Sequence, residues 1–336
     1  MQASRILVIR RDNIGDLVCT LPLIRRLREQ HPDAWIGALV TRYNAEVLHD
    51  NPDLDAVFTY TKAKHLAHGE SKLAALWQRL RVLWRLRHAD LDLVLLPASG
   101  TQASARRMAK LVGAKRIVAQ DDVPANPAAL HEVERTANLL NAISIPTNEL
   151  PAAEIHPRKE VQDSIRRQLE GSTTEAQGPL IGMHISSRKP SQRWPATRFI
   201  EVMRNLHAAS PQTRFALFWS PGDEANPLHP GDDRKAGEIL EACRDLPLHA
   251  CPTRELTDLI AGLSVCDQIL CSDGGHMHLA AALGKPIVCL FGKSDAARWH
   301  PWHVPYVLLQ TEDMDANNIT TEEVLAALST LEQRSL

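Results

Sequence analysis

The chain has 336 residues, of which 44% are hydrophobic and 23% charged, as in a folded globular protein large enough for two domains. It contains no apolar run of the roughly 18 to 20 residues that span a bilayer. The first five residues lead directly into a strand, without the apolar core or cleavage site of a signal peptide. These patterns argue against a membrane-spanning or secreted protein, and we expect a cytoplasmic one.

The net charge of −2 conceals a strongly basic segment. Residues 61–116 contain twelve Lys and Arg but only three acidic residues. A local positive field attracts an anionic partner, which could be nucleic acid, anionic lipid or a phosphorylated substrate. Nucleic acid is disfavoured, because the few aromatic residues there follow an apolar helix stripe and not a base-stacking pattern. The six cysteines form no CxxC pair, so we expect neither disulfides nor zinc ligands.

Apolar runs alternate with helical segments along the first 142 residues. Strands are predicted at residues 5–10, 35–40, 56–60, 91–96 and 116–119. Helices are predicted at residues 17–30, 71–88, 102–111 and 131–142. Strands that alternate with helices at this spacing predict a doubly wound parallel sheet.

A segment rich in Pro, Glu, Gly, Ser and Thr, residues 144–178, interrupts this pattern, which then restarts. Strands are predicted at residues 180–185, 214–220, 248–251, 268–272 and 287–292. Helices are predicted at residues 195–208, 233–243, 255–263, 276–283 and 321–331. The second half therefore also predicts a Rossmann-like domain.

The predicted organisation is α/β, with two Rossmann-like domains facing each other across a cleft. The first covers residues 1–155, a linker region covers 156–178, and the second domain covers 179–320. A final helix within 321–336 could pack back toward the first domain. Ligands of open α/β sheets bind at the carboxyl ends of the strands, so both sheets would contribute to one cleft.

The most informative motif joins a strand, a glycine turn and a helix late in the chain. Asp273, Gly274 and Gly275 form the turn, and a small apolar helix follows from His276. Glycines before a helix let a phosphate approach the free N–H groups of the first turn, where the helix dipole favours negative charge. Asp273 would accept hydrogen bonds from sugar hydroxyls beside that phosphate. An ordinary tight turn is the alternative.

A loop with two hydroxyls and several cations follows the first strand of the second domain. Ser186, Ser187, Lys189 and Arg193 precede a helix that begins at Pro195. Such a loop can bind phosphate, although a solvated basic loop would have the same composition. Trp194, next to this helix, is expected to pack structurally.

Three further residues are candidates for chemistry. Asp16 follows the first strand, where it could act as a general base or cap the next helix. His276 and His278 are two positions apart and do not share a helix face, which argues against a metal site. Either could donate to a phosphate or simply pack. The absence of G-x-G-x-x-G argues against a nicotinamide or flavin cofactor.

The predicted helix 71–88 has an apolar stripe with arginines on its other faces. The stripe contains Leu73, Leu76, Trp77, Leu80, Leu83 and Trp84. A helix that packs on the core would have this pattern, and we favour that interpretation. Contact with a membrane surface or an anionic acceptor is the alternative.

Several motifs, in order along the chain, resemble glycosyltransferase family 9, the ADP-heptose:lipopolysaccharide heptosyltransferases. They are Ile6-Leu7-Val8-Ile9-Arg10 with Gly15-Asp16 and Thr20-Leu21-Pro22, then His131-Glu132-Val133-Glu134-Arg135, Arg193-Trp194-Pro195, residues 272–284, Phe291-Gly292, Arg298-Trp299 and Pro301-Trp302. Three positions depart from the family pattern. Many members have Thr or Ser at the position of Gly274, Pro at that of His276, and Lys at that of Gln192.

The resemblance implies a GT-B fold and an inverting glycosyl transfer. Asp16 would be the catalytic base, the second domain would bind an ADP-sugar and the first domain would bind the acceptor. The resemblance places Asp273, Gly274, Gly275 and His278 at the donor. With the residues suggested by the local patterns, the expected donor-binding set is Ser186, Ser187, Lys189, Arg193, Glu224, Asp273, Gly274, Gly275, His276 and His278. The residues expected to contact the acceptor are Asn13, Lys62, Lys64, Ser99 and Thr101. Glu224, or Asp223 beside it, would hold the ribose hydroxyls.

The implied partners are the nucleotide-sugar donor and an anionic glycolipid acceptor, the inner core of lipopolysaccharide on lipid A. We therefore expect peripheral association with the inner leaflet of the inner membrane. No cofactor or metal is expected to be required, with a divalent cation at most stimulatory, because the loop cations would neutralise the leaving group. A nucleotide-sugar 2-epimerase and a non-catalytic nucleotide-sugar-binding protein remain the alternatives.

Overall fold

The computed structural model describes residues 4–61, 71–100, 102–170, 178–225 and 231–335. The chain divides into two compact units, Met1–His156 and Pro157–Leu336. Each unit is built on one parallel sheet with helices between successive strands. The two parallel sheets predicted from the sequence are thus confirmed.

The first unit contains a five-stranded sheet in the order β3-β2-β1-β4-β5. Its strands are β1 Arg5–Ile9, β2 Trp35–Thr41, β3 Ala56–Tyr60, β4 Leu93–Leu96 and β5 Arg116–Ala119. Its helices are α1 Ile14–Val18, α2 Leu21–Gln30, α3 Lys72–Arg87, α4 Ala103–Leu111 and α5 Glu132–Ala137. The strand order reverses at β1, and the crevice at such a reversal is where open α/β sheets bind ligands.

The helix predicted over residues 17–30 is wrong in its extent, because the chain forms two helices there. α1 begins at Ile14, so Asp16 is the third residue of a short helix whose N-cap is Asn13. α2 begins at Leu21, with Pro22 in its first turn. Proline has no N–H and is tolerated only at a helix start, which explains why a new helix begins there.

The second unit contains a six-stranded sheet in the order β11-β10-β9-β6-β7-β8. Its strands are β6 Leu180–His184, β7 Arg214–Trp219, β8 Leu248–Pro252, β9 Gln268–Ser272, β10 Ile287–Phe291 and β11 Tyr306–Gln310. Its helices are α6 Lys159–Glu170, α7 Ala196–Ala209, α8 Asp233–Ala242, α9 Leu256–Val265, α10 Gly275–Ala282, α11 Ala296–Trp299 and α12 Thr321–Ser335. The sequence did not predict β11, an edge strand whose five residues are all half-buried and so show no alternation.

The segment expected to be a linker, residues 156–178, includes α6. This helix packs on α9, and the Gln162 side chain donates to the Ser264 hydroxyl at 2.7 Å. At the other end of the unit, α12 packs on α7 and β11. Its residues Val324, Leu328 and Leu331 are buried in the core of the second unit.

Candidate functional site

Asp16 lies just beyond the end of β1, in the first turn of α1. Its Oδ2 accepts hydrogen bonds from the backbone N–H of Asn13, at 3.3 Å, and from the Asn13 side-chain amide, at 2.8 Å. Its Oδ1 accepts from Nη2 of Arg10 at 2.9 Å. The side chain of Asp16 remains 17% exposed. The carboxylate therefore helps cap α1 and is also held in a fixed orientation that solvent can reach.

Arg10 is a buried cation among three carboxylates. It is the residue after β1, and its guanidinium contacts Asp16 at 2.9 Å, Asp12 at 3.3 Å and Glu132 at 3.5 Å. The side chain of Arg10 is 2% exposed and that of Glu132 is 5% exposed. Burying a charge is costly unless it is paired, so this cluster fixes the end of β1 to the start of α5.

The residues expected to contact the acceptor are only partly described. Asn13 and Ser99 are exposed, after β1 and β4, which are neighbours in the sheet. Lys62, Lys64 and Thr101 lie outside the described residues.

Gln192 joins the two candidate phosphate-binding segments of the second unit. β6 and β9 are adjacent in the sheet, so the segments that follow them meet at its carboxyl edge. The buried Gln192 amide donates to Oδ2 of Asp273 at 2.6 Å and accepts from the Ser187 hydroxyl at 3.2 Å. One of the three residues that depart from the family pattern, Gln192, is thus the one that orients Asp273.

The loop between β6 and α7 is held at both ends by Lys235, from α8. Its ammonium donates to the carbonyl of Ile185 at 2.9 Å and to that of Trp194 at 2.6 Å. Burial lowers the pKa of Lys235 to about 8, against the opposing effect of nearby Asp232. Arg193 also braces the loop, because its Nε donates to the carbonyl of Ser187 at 3.0 Å.

Asp232 is a buried carboxylate beside this loop that the sequence did not suggest. It is buried beside Ser186, whose hydroxyl also accepts from the backbone N–H of Ser220 at 2.9 Å. Burial raises the pKa of Asp232, while the hydrogen bond from Ser186 and the charge of Lys235 oppose that rise. Its Oδ2 is buried and has no hydrogen-bond partner among the described residues.

The other residues expected at the donor differ in their surroundings. Lys189 is exposed, whereas Glu224 forms an ion pair with Arg234 at 2.9 Å. His278 is buried, and the edge of its ring meets Trp299 with 5.8 Å between ring centroids. Trp194 is buried and donates to the carbonyl of Ile319 at 2.9 Å, which confirms its structural role.

Gly274 is required because the ring of His276 lies over it. A Cβ at Gly274 would lie 2.7 Å from Cε1 of His276, well inside van der Waals contact. Nε2 of this ring is 2.8 Å from the carbonyl oxygen of Ser272, an acceptor. The ring also stacks on His184, with centroids 3.8 Å apart. His276 therefore fills the space over the glycine turn and joins the end of β9 to β6.

The stacked histidines predict a specific dependence of stability on pH. Burial lowers the pKa of His276 to about 4, and burial beside His276 lowers that of His184 well below its usual range. As pH falls below about 6.5, the unfolded chain binds protons that the buried rings do not bind. Stability should therefore fall from about pH 6.5 toward pH 4.

We expect His184→Phe to make this acid-induced loss shallower, because a phenyl ring keeps the stack but takes up no proton. The measurement is the thermal unfolding midpoint at a series of pH values between 4 and 7. His303→Asn, which changes an exposed histidine, is the control and should leave the slope as in the parent chain. An unchanged slope in His184→Phe would show that this ring takes up its proton over the same pH range in the native and unfolded states.

The sequence matches the model of Glycosyltransferase family 9 (heptosyltransferase) over residues 102–326, about two thirds of the chain. The chain belongs to glycosyltransferase family 9. Membership makes it a glycosyltransferase, as the motifs around Asp16 and Asp273 implied.

Individual relatives of this family 9 glycosyltransferase are distant. It is 22% identical over 302 residues to lipopolysaccharide heptosyltransferase 3 of Escherichia coli, an alignment that covers 86% of the chain and 83% of the relative. Its fold is similar to that of the family 9 glycosyltransferase from Veillonella parvula, with a TM-score of 0.80, 19% identity and coverage of 98% and 97%. It also resembles E. coli ADP-heptose lipopolysaccharide heptosyltransferase II, with a TM-score of 0.75, 20% identity and coverage of 98% and 99%. These neighbours confirm the GT-B fold class.

Proposed function

We propose that this enzyme transfers a heptose from an ADP-heptose donor to the inner core of lipopolysaccharide, with inversion at the anomeric carbon. Two of the relatives described above are heptosyltransferases by name, and one of these is named for ADP-heptose and lipopolysaccharide. The observation that carries the proposal is the hydrogen bond between Gln192 and Asp273. It joins a basic loop to a helix N-terminus and a carboxylate at one sheet edge, a combination suited to a diphosphate attached to a sugar.

In the proposed reaction Asp16 accepts the proton of an acceptor hydroxyl while that oxygen attacks the anomeric carbon. The bond from this carbon to the diphosphate oxygen breaks, and ADP leaves with the electron pair. The first-turn N–H groups of α10, with Lys189 and Arg193, would stabilise the negative charge that grows on the diphosphate. These cations are the reason for proposing that no metal is required.

Asp273 would orient the hydroxyls of the donor sugar. Glu224, the other carboxylate expected at the donor, already pairs with Arg234. The acceptor is a glycolipid in this proposal, so the enzyme would work in the cytoplasm at the inner leaflet of the inner membrane.

Transfer can be tested by incubating the full chain with ADP-heptose, with and without core oligosaccharide from a heptose-deficient strain. We expect ADP release only when acceptor is present, and a product one heptose residue heavier, with inverted anomeric configuration. Isomerisation of the donor without acceptor would instead establish the epimerase alternative. Donor binding without turnover on any core acceptor would make the chain a binding protein.

We expect Gln192→Leu to raise the KM for the nucleotide sugar about 10-fold, because the buried amide that orients Asp273 is lost and one such hydrogen bond contributes about 1–3 kcal/mol. Steady-state kinetics with varied donor concentration measure this effect. Gln212→Leu is the matched control, since Gln212 is exposed in the same unit. A KM equal to that of the control would remove the positioning role from Gln192.

A further inference from the structure

Helix α3 exposes a large apolar face to solvent. Leu73 is 69% exposed, Trp77 71% and Trp84 63%, and Leu76 and Leu80 are also exposed. The sequence favoured a core-facing position for a stripe of these five residues and Leu83, and that prediction is wrong for all but Leu83. We call these five residues the outer face of α3.

The opposite side of α3 attaches the helix to its domain. Leu86 is fully buried in the core of the first unit, and Val82 and Leu83 pack against that core. Residues 73, 77, 80 and 84 recur at helical spacing, roughly half a turn away from residues 82 and 86. The outer face therefore takes no part in the packing that holds the helix on its domain.

The charges on α3 are all positive. Between residues 72 and 87 the sequence contains Lys72 and four arginines but no acidic residue. Arg79 lies over the ring of Tyr60, while Arg81 and Arg85 are exposed and, by helical spacing, lie along one edge of the outer face. Leucine and tryptophan on one face, with arginine beside them, is the composition of helices that lie in the bilayer interface. Tryptophan favours the headgroup level, and arginine attracts anionic lipid.

We infer that the outer face of α3 docks this enzyme on an anionic lipid bilayer. The absence of any acidic residue on α3 matches a negatively charged surface, and the exposed tryptophans match its apolar boundary. Docking would hold the active site at the surface where the proposed glycolipid acceptor lies, and this benefit rests on the proposed function. The binding itself does not need the acceptor.

The experiment is sedimentation of the full chain with vesicles of phosphatidylethanolamine and phosphatidylglycerol, and with vesicles of phosphatidylcholine alone. We expect binding to the anionic vesicles only. The combined variant Leu73→Ser, Trp77→Ser and Trp84→Ser should weaken that binding about 10-fold or more, since membrane affinity scales with the apolar area inserted. Met314→Ser, which changes an exposed apolar residue of the second unit, should bind as the parent chain does.

A second pair of changes tests the charge. Arg81→Gln with Arg85→Gln should weaken binding to anionic vesicles, by about fivefold per charge removed, and added salt should reduce the difference. Equal binding of the parent chain to anionic and neutral vesicles would overturn the anionic part of the inference.

Absence of vesicle binding in the parent chain would overturn the inference as a whole. So would a concentration-dependent dimer in analytical ultracentrifugation that only the serine variant abolishes, because the face would then bind a second copy. Transfer to a soluble, acyl-free core acceptor separates this inference from the proposed function. The serine variant should retain that transfer. If the parent chain itself transfers no heptose to this soluble acceptor, the result counts against the proposed function and leaves the membrane inference unaffected.

Discussion

The Asp16→Asn variant should transfer the sugar about 10²- to 10⁴-fold more slowly while it still binds donor, because a positioned base contributes a rate factor of this size. An amide keeps the shape of the side chain and its position beside Arg10, but it cannot take up the acceptor proton. The measurement is kcat for ADP release at saturating donor and acceptor, with donor affinity determined by calorimetry. Both quantities come from the same folded preparation.

Asp12→Asn is the matched control for this substitution. Asp12 also faces Arg10, at 3.3 Å, but it is not the family residue expected to act as base. We expect its turnover to stay within about tenfold of the parent value. Near-normal turnover in Asp16→Asn, with intact donor binding, would remove Asp16 from the role of base.

Loss of Arg10 should have the largest effect on stability. Arg10→Met leaves the buried carboxylate of Glu132 without the cation that faces it, and breaking a buried ion pair in this way costs about 3–5 kcal/mol. For a unit of this size that corresponds to a fall of about 10 °C in its unfolding midpoint. Scanning calorimetry of the full chain measures the fall.

The double variant Arg10→Met with Glu132→Met distinguishes a buried-charge effect from a packing effect. If the cost comes from an uncompensated charge, removing both partners should restore much of the lost stability. Additive losses from the two substitutions would show that the pair contributes by packing alone. Arg10→Lys keeps the charge but not the planar guanidinium that reaches several carboxylates at once, and should be intermediate.

Local sequence patterns were sufficient to predict both sheets, apart from the edge strand β11, and the two candidate motifs. Asp16 and Asp273 each follow an apolar run of strand length, and the carboxyl edge of a parallel sheet follows directly from that pattern. The partners of these residues could not be predicted in the same way. Arg10 meets Glu132 across 122 positions, and Gln192 meets Asp273 across 81. Such contacts depend on strand order and register, which a single sequence does not give.

Helix α3 shows a different limit of prediction from sequence, which concerns burial. Its periodicity correctly grouped five of the six stripe residues, all except Leu83, but it did not show which face is buried. The apolar stripe that includes Trp77 is larger than the set around Leu86, yet the smaller set packs on the core. Hydrophobic patterning cannot distinguish a face that meets the core from one that meets another apolar environment.

The contact between the imidazole of His276 and the backbone at Gly274 has an evolutionary consequence. Because the ring fills the volume that any side chain at residue 274 would need, a side chain can appear at 274 only where the ring at 276 has been replaced. The reverse is not required, since a smaller residue at 276 leaves the glycine undisturbed. Lineages with a hydroxyl-bearing residue at 274 should therefore lack the imidazole at 276, and engineering of this turn must change residue 276 no later than residue 274.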